Sequence, residues 1–488
     1  MPNVAYVRED VIAARKVWTL IDDCTKGELR IKSQREKYLP KPEAELDPVQ
    51  GELRYASYLQ RAMFYNVTGR TLDGLVGQVF TKETEVEIPS PMDAYTNDID
   101  GAGTSLDQQS KIVLQTTIAK GHGGLLSDFP TSGERGTTKA DLESKRVRPR
   151  ILAIGPEKII NWRVTPFGGE SLLSLLVLEE SKVVSDDEFE FETEPRWRVY
   201  RLITIGDNLA AEVSVWKEST PSDANYKQGE AYVIESGPFL LRKFDNTFVE
   251  RVPFEFVGST NNEPTIDKPP MLDLSTMNIA HYRNSADYEE SLFLVGQPTL
   301  VISGLSQQWA DDNINGKVIL GSRSAIALPK DAKAEMLQAH PNIMPKEGME
   351  HKEQQMKALG AKLIEPNFSK VTATEVLMEA ASESSILTST ANNVSTAYRK
   401  AIANAGQFLE AMSPQSIVFQ LNVDFSVSKM SAQERQQLMA EWQGGLITWT
   451  EARARLHEAG VATEDDAIAK TQVETIEDTT PITKTAEV

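Results

Sequence analysis

Residues 372–412 read TATEVLMEAASESSILTSTANNVSTAYRKAIANAGQFLEAM. Thr372 followed by Glu375 is a capping box, which satisfies two amides at a helix start. Ser413-Pro414 closes the run, because proline lacks an amide and clashes with the preceding turn. Between them Val376, Ala380, Leu387, Ala391, Val394, Tyr398, Ile402, Ala405 and Leu409 form one apolar seam, with small residues admitted. A helix over the whole stretch would be roughly 60 Å long at ~1.5 Å per residue. That exceeds the width of a small domain and predicts an element spanning a larger assembly. A short irregular link, Glu365-Pro-Asn-Phe-Ser-Lys370, precedes it and carries one cation.

Moving toward the N-terminus, residues 347–364 read as helix, with Lys352, Lys357 and Lys362 among Met356, Leu359 and Leu363. Before them, Thr299–Ile302, Lys317–Leu320 and Ala325–Leu328 read as short strands. Residues 271–293, between Pro269-Pro270 and Gly296-Gln-Pro298, form a second helix rich in polar side chains: His281, Arg283, Asn284, Ser285, Asp287, Glu289 and Glu290. So thin an apolar stripe is unusual in a core helix and predicts a subunit interface or a wet channel.

The first half divides into helices and then strands, an α+β pattern. Helical periodicity covers 7–37, Glu52–Tyr65 and Thr71–Val79. The Ser105/Gln108 box opens a helix through Lys120, with Ile112, Val113 and Ile118 available for burial. Leu125–Phe129 reads as a strand, and Thr131–Arg150 as a long polar loop. The period then shifts toward two over Arg150–Ile154, Ile159–Val164, Leu172–Leu178, Arg196–Ile205, Ala211–Trp216, Ala231–Ile234 and Phe254–Val257. Asp186–Glu194, where Phe189 and Phe191 alternate with acids, reads as a hairpin tip. Beyond the long helix, Gln415–Phe425 reads as a strand and Ser431–Gly444 and Thr448–Gly460 as short helices. The tail after Thr471 has no aromatics.

Composition narrows the function. The chain has 488 residues, 51 Lys and Arg against 71 Asp and Glu, and a net charge of −20. That balance disfavours a protein that clings to nucleic acid, since such binding rests on neutralising phosphates. No apolar run approaches the ~20 residues of a membrane span, and the N-terminus has no apolar signal region. The lone Cys24 excludes internal disulfides and reads as a small apolar filler. The five histidines show no metal-ligand spacing, so no metal or cofactor is expected. Gly316-Lys317 fails as a phosphate loop, because Val318 replaces the Ser/Thr and Asp311 replaces the first glycine. Gly121-His-Gly-Gly124 reads as a turn before a strand, or else as a loop whose amides meet an anion. No catalytic constellation is present, and no enzyme activity is expected.

Several stretches resemble, in order, the portal (head-to-tail connector) proteins of tailed bacteriophages, most closely a branch carried as a domain of unknown function. They are Arg61–Phe80 (RAMFYNVTGRTLDGLVGQVF), Gly121–Pro130 (GHGGLLSDFP), Val252–Gly258 (VPFEFVG), Leu272–Leu300 (LDLSTMNIAHYRNSADYEESLFLVGQPTL), Thr372–Leu409 and Gly444–Gly460 (GGLITWTEARARLHEAG). The resemblance implies a homo-oligomeric ring, usually a dodecamer, at one vertex of the capsid in the virion, assembled in the host cytoplasm. Double-stranded DNA is packaged through it by terminase, retained, and ejected through the tail. It implies a wing from residues 1–270 and 413–430, stem helices at 271–293 and 347–364, and a clip at 294–346. A tunnel loop at 365–371, a long wing helix at 372–412 and a short crown with a tail at 431–488 complete it. The clip residues Lys317, Ser322, Arg323 and Ser324 would face terminase and later the head–tail adaptor; major capsid and scaffold proteins are further partners. In the tunnel loop, Asn367, Ser369 and Lys370 would brush passing DNA, Lys370 reading either as a transient phosphate contact or as a solvated lysine. Intersubunit or solvent salt bridges are expected for Lys352, Lys357 and Lys362, and pairing with a neighbour's acid rather than DNA contact for Arg399 and Lys400. The alternatives are another ring-forming virion connector, or a phosphate-binding enzyme using Gly121–Gly124.

Overall fold

The computed structural model describes residues 3–42, 48–128, 148–187, 189–221, 230–296, 299–306, 308–309, 328, 331–337, 344–364, 385–409, 416–423, 425, 432–458, 461–462 and 469–470. The chain divides into two units, Met1–Val423 and Asp424–Val488.

Helix α1 (Glu9–Thr25) and α2 (Glu28–Ser33) replace the single helix expected over 7–37. The break is at Gly27, whose φ of +83° an L side chain rarely adopts. Asn66 fixes this corner. Its Nδ2 donates to the Thr25 carbonyl (3.1 Å), and its Oδ1 caps the start of α4 (Val67–Val79) at Gly69 N–H (2.8 Å). Between them lies α3 (Pro48–Arg61). A short strand β1 (Glu85–Glu87) follows, then α5 (Leu106–Lys120), whose Ser105/Gln108 box forms as expected. Val113 and Ile118 are buried in α5, but Ile112 is exposed, because it sits a residue off the buried stripe.

Gly121, left-handed at φ +70°, ends α5 and turns the chain directly into β2 (His122–Asp128). Strand β2 is central in a three-stranded antiparallel sheet, between β3 (Arg150–Ile154) and β9 (Phe254–Gly258). The expected two-residue periodicity becomes a five-stranded antiparallel meander: β4 (Ile159–Phe167), β5 (Glu170–Asp186), β6 (Phe191–Ile205), β7 (Asn208–Glu218) and β8 (Tyr232–Leu240). The main core joins α1 to both sheets through Val11, Trp18, Leu126, Trp162, Tyr200 and Phe254. Trp18 also donates from Nε1 to the Lys120 carbonyl (2.9 Å), tying α1 to the end of α5.

The polar stretch becomes α6 (Leu272–Val295), which leads to strand β10 (Thr299–Ser303). Its antiparallel partner is β11 (Lys333–Leu337), a strand the periodicity did not single out. Helix α7 (Met344–Ile364) follows. The strands read at Lys317–Leu320 and Ala325–Leu328 lie outside the described residues, except that Leu328 itself is in no strand. The part of the long helix within them is α8 (Ser385–Gly406). It ends at Gly406 in a turn over 407–409, before the expected stop at Ser413-Pro414. The Thr372/Glu375 box, Val376 and Ala380 lie outside the described residues. The rest of the seam is buried at Leu387, Ala391, Val394, Tyr398, Ile402 and Ala405, and half-buried at Leu409.

Helix α8 lies across the three-stranded sheet through polar ties. Ser127 Oγ donates to the Ala401 carbonyl (2.8 Å), Asn393 Nδ2 to the Gly258 carbonyl (2.9 Å), and Tyr398 O–H to Gln109 Oε1 on α5 (3.0 Å). Strand β12 (Val418–Gln420) is shorter than the expected 415–425 and pairs antiparallel with β1. Residues 131–147 of the polar loop and the tail after Thr471 lie outside the described residues.

The second unit holds α9 (Ala432–Gln443) and α10 (Trp449–Glu458). Trp442 and Trp449 meet edge to face at 5.3 Å, and the Thr448/Glu451 box opens α10. The protein is therefore α+β, as the pattern indicated.

Candidate functional site: a polar helix pair carrying a strand pair

The first two-thirds of helix α6 pack into the core of its own chain, where the sequence pattern pointed to an interface or channel element. Its buried residues include Leu274, Ser275, Asn278, Ile279, His281, Tyr282, Ser285 and Ala286. Asn278, Ser275 and Ser285 are tolerated because they find partners, which removes most of the cost of desolvation, whereas the His281 ring nitrogens and the Tyr282 hydroxyl form no hydrogen bond among the described residues. Asn278 Oδ1 accepts from Thr68 N–H (3.2 Å) and Thr68 Oγ1 (3.0 Å), while its Nδ2 donates to the Tyr65 carbonyl (2.8 Å). Ser285 Oγ accepts from Met63 N–H at 3.1 Å. Arg283 Nε donates to the Tyr38 carbonyl (2.8 Å), Tyr58 O–H donates to Asp287 (2.6 Å), and Glu290 pairs with Arg61. The loop 62–66 and α3 thus supply what a hydropathy pattern reads as missing. The last turn is different: Leu292, Phe293 and Leu294 are exposed, with the Arg61 guanidinium over the Phe293 ring at 4.2 Å.

Helix α7 runs antiparallel against α6. Gly348 faces Asn284, where an added Cβ would lie 2.9 Å from Asn284 Nδ2, and Glu353 faces His281. The His281 Nε2–Glu353 Oε1 separation is 3.6 Å, and burial lowers the imidazole pKa against the pull of Glu353. Farther along, Gly360 packs on Thr71 of α4. Chain enters α7 at Met344 after the strand pair and leaves it at Ile364, beyond the turn that meets α4. Among the described residues Lys352 and Lys357 form no ion pair. On α8, Arg399 donates to Thr396 Oγ1 (3.0 Å), and Lys400 lies 3.9 Å from Glu255 of its own chain.

The residues assigned from sequence to the clip (Lys317, Ser322, Arg323, Ser324) and to the tunnel loop (Asn367, Ser369, Lys370) lie outside the described residues. What sequence reading missed is the polar socket for α6. The signal was present in the run Phe64–Gly69, where Asn66 stands at a helix start it can cap and Thr68 follows in the first turn.

Gly121–Gly124 takes the turn-and-strand form. Gly123 and Gly124 stand inside β2, opposite Val257 and Phe256 of β9, and are buried. Their amides belong to a sheet interior rather than to an open anion loop. His122 beside them is buried against Trp162 (5.6 Å) and Phe256 (5.5 Å), with neither ring nitrogen hydrogen-bonded among the described residues. Burial pushes its pKa down to about 4, against ~6.5 in an unfolded chain. The folded state therefore binds fewer protons than the unfolded one. Stability is full above pH ~6.5 and falls as pH drops toward 4, by about 1.4 kcal/mol per unit and roughly 3 kcal/mol in all. His122→Phe should remove that slope. Denaturation at pH 7.5, 5.5 and 4.5 checks it, and equal slopes for the two proteins would refute the assignment.

Among the described residues no cluster of His, Cys, Asp and Glu could hold a metal, and no helix is long and apolar enough to cross a membrane. Cys24 is buried, and burial raises its thiol pKa to about 12.

A family model described as "Domain of unknown function (DUF4055)" matches residues 270–409, the span from the start of α6 to the end of α8. No curated protein matches the chain. Among solved structures, it is similar to a chain of the virion of a native gene transfer agent particle at 14% identity and a TM-score of 0.39, over 82% of this chain and 92% of that one. It is also similar to a chain from the neck of the empty particle, computed with C6 symmetry, at 13% identity and a TM-score of 0.40, over 84% and 93%. A chain from the neck of the native particle, computed with C12 symmetry, gives 13% identity and a TM-score of 0.36, over 80% and 89%.

Proposed function

We propose that the chain is a portal: a non-enzymatic virion protein whose copies form a ring, a dodecamer in this reading, around a channel for double-stranded DNA. The observation that carries the reading is the order of parts along residues 272–406. An antiparallel helix pair carries a strand pair at one end, and the seamed helix α8, Ser385–Gly406, follows it in the chain. This is the order of stem, clip, tunnel loop and wing helix. Residues 1–270 and 413–430 complete the wing, and 431–488 form a short crown.

The chemistry agrees. Duplex must slide through such a channel, and each phosphate neutralised ties affinity to counterion release; 6–10 contacts change binding by roughly 10³–10⁵ over modest salt. A net charge of −20 per copy favours passage over capture. ATP hydrolysis then belongs to terminase. Asn367, Ser369 and Lys370 touch DNA briefly from successive copies, while Lys317, Ser322, Arg323 and Ser324 dock terminase and then the adaptor. The ring sits at one capsid vertex.

The test separates docking from assembly. With Lys317, Ser322, Arg323 and Ser324 all changed to alanine, rings should form at the wild-type yield while terminase capture falls at least tenfold. Loss of the rings themselves would overturn the clip assignment.

A further inference from the structure

Strands β5 and β6 outrun their sheet. Beyond the Glu180↔Arg196 pair neither β4 nor β7 accompanies them, and they continue as a two-stranded ribbon to Asp186↔Phe191. At its tip Phe189 is 89% and Phe191 68% exposed, with Val183 and Val184 also exposed behind them. The sequence there, Asp186-Asp-Glu-Phe-Glu-Phe-Glu192, is strongly acidic. Asp187 holds the turn by accepting from the amides of Phe189 (3.1 Å) and Glu190 (2.7 Å). Exposed aromatics on a projecting arm are costly in water and point to a partner.

The same sheet carries a cleft at its other end. Strand β4 is an edge strand. The N-terminal segment covers its first part, with Arg8 N–H donating to the Ile160 carbonyl (3.1 Å) and Arg8 Nη1 to the Trp162 carbonyl (3.2 Å). Past Trp162 no described strand pairs with the edge, and Val164 and Phe167 are exposed. An open cleft of about 520 Å³ lies along it, lined by Arg8, Trp162, Arg163, Val164, Thr165 and Pro264 together with Thr265. Arg8 stacks on Trp162 at 4.2 Å and pairs with Asp10; Arg163 is exposed and forms no ion pair among the described residues. Such a strand edge beside a cation and an aromatic suits an extended, acidic, aromatic segment.

We propose that the β5–β6 tip of one copy seats in the β4 cleft of the next. The two features are complementary in charge, and one chain cannot join them to each other. Arg163 lies opposite Leu175, and the tip begins eleven residues farther along β5, about 36 Å at ~3.3 Å per residue. Donor and acceptor at opposite ends of one sheet make a head-to-tail contact, the kind that generates rings. The inference rests on the ring reading above and adds the contact that closes it.

Cys24 is buried and protonated, so introduced cysteines react alone. The full chain carrying both Thr165→Cys and Glu192→Cys, treated with a short bis-maleimide, should give a ladder of dimers, trimers and higher species on a denaturing gel. Either single variant should give none. Phe189→Ser should raise the concentration needed for assembly at least tenfold, with an unchanged melt of the monomer. Rings that form without the ladder overturn this contact and leave the ring reading standing; dimers from a single variant also overturn it, as a symmetric contact. A chain that neither assembles nor cross-links overturns both.

Discussion

Gly124→Val is expected to abolish the soluble fold, and Gly124→Ala to cost about 3 kcal/mol, at the upper end of overpacking penalties. A Cβ at Gly124 would stand 2.0 Å from Phe254 Cζ and within 2.8 Å of both Cε atoms. The ring has nowhere to go, since it is buried and packs edge to face on Phe256 at 4.9 Å. The neighbouring glycine is the control. A Cβ at Gly123 would meet only the Ile154 carbonyl, at 3.5 Å, an ordinary contact. Gly123→Ala should be neutral or slightly stabilising, because glycine in a strand costs roughly 0.5–1 kcal/mol in backbone freedom. Thermal melts of the two alanine variants decide the matter. Equal losses at both positions would contradict the packing account and return attention to an anion loop.

Asn278→Ala should cost roughly 2–4 kcal/mol, because it strands the Thr68 amide, the Thr68 hydroxyl and the Tyr65 carbonyl in a buried site. The effect belongs to the single chain and should appear in urea unfolding whether or not the copies assemble. Glu289→Ala on the same helix should stay within about 0.5 kcal/mol. If the two variants unfold at one midpoint, α6 is not the core element described here.

These two positions also show where sequence reading succeeds and stops. The seam of α8 was legible because Leu387, Val394, Tyr398 and Ile402 repeat on one face, and periodicity survives whatever they pack against. The meander was legible for the same reason at period two. Helix α6 misled because a pattern cannot tell a polar side chain that meets water from one that meets a buried carbonyl. Strand β11 was missed because Lys333-Ala-Glu-Met-Leu337 has no β-branched residue, and only its pairing with Thr299–Ser303 makes it a strand. Gly27 reads as an ordinary helix residue until the corner built by Asn66 is seen. The division of the chain into wing, stem, clip and crown came from resemblance.

The central claim is the ring. Mass photometry of the purified full chain, with negative-stain images of the same sample, tests it most directly. Twelve copies of a 54.1 kDa chain make about 650 kDa, and end views should show a central hole wide enough for duplex DNA. A chain that stays monomeric or dimeric across concentration and salt, or that forms particles with a closed centre, would contradict the account.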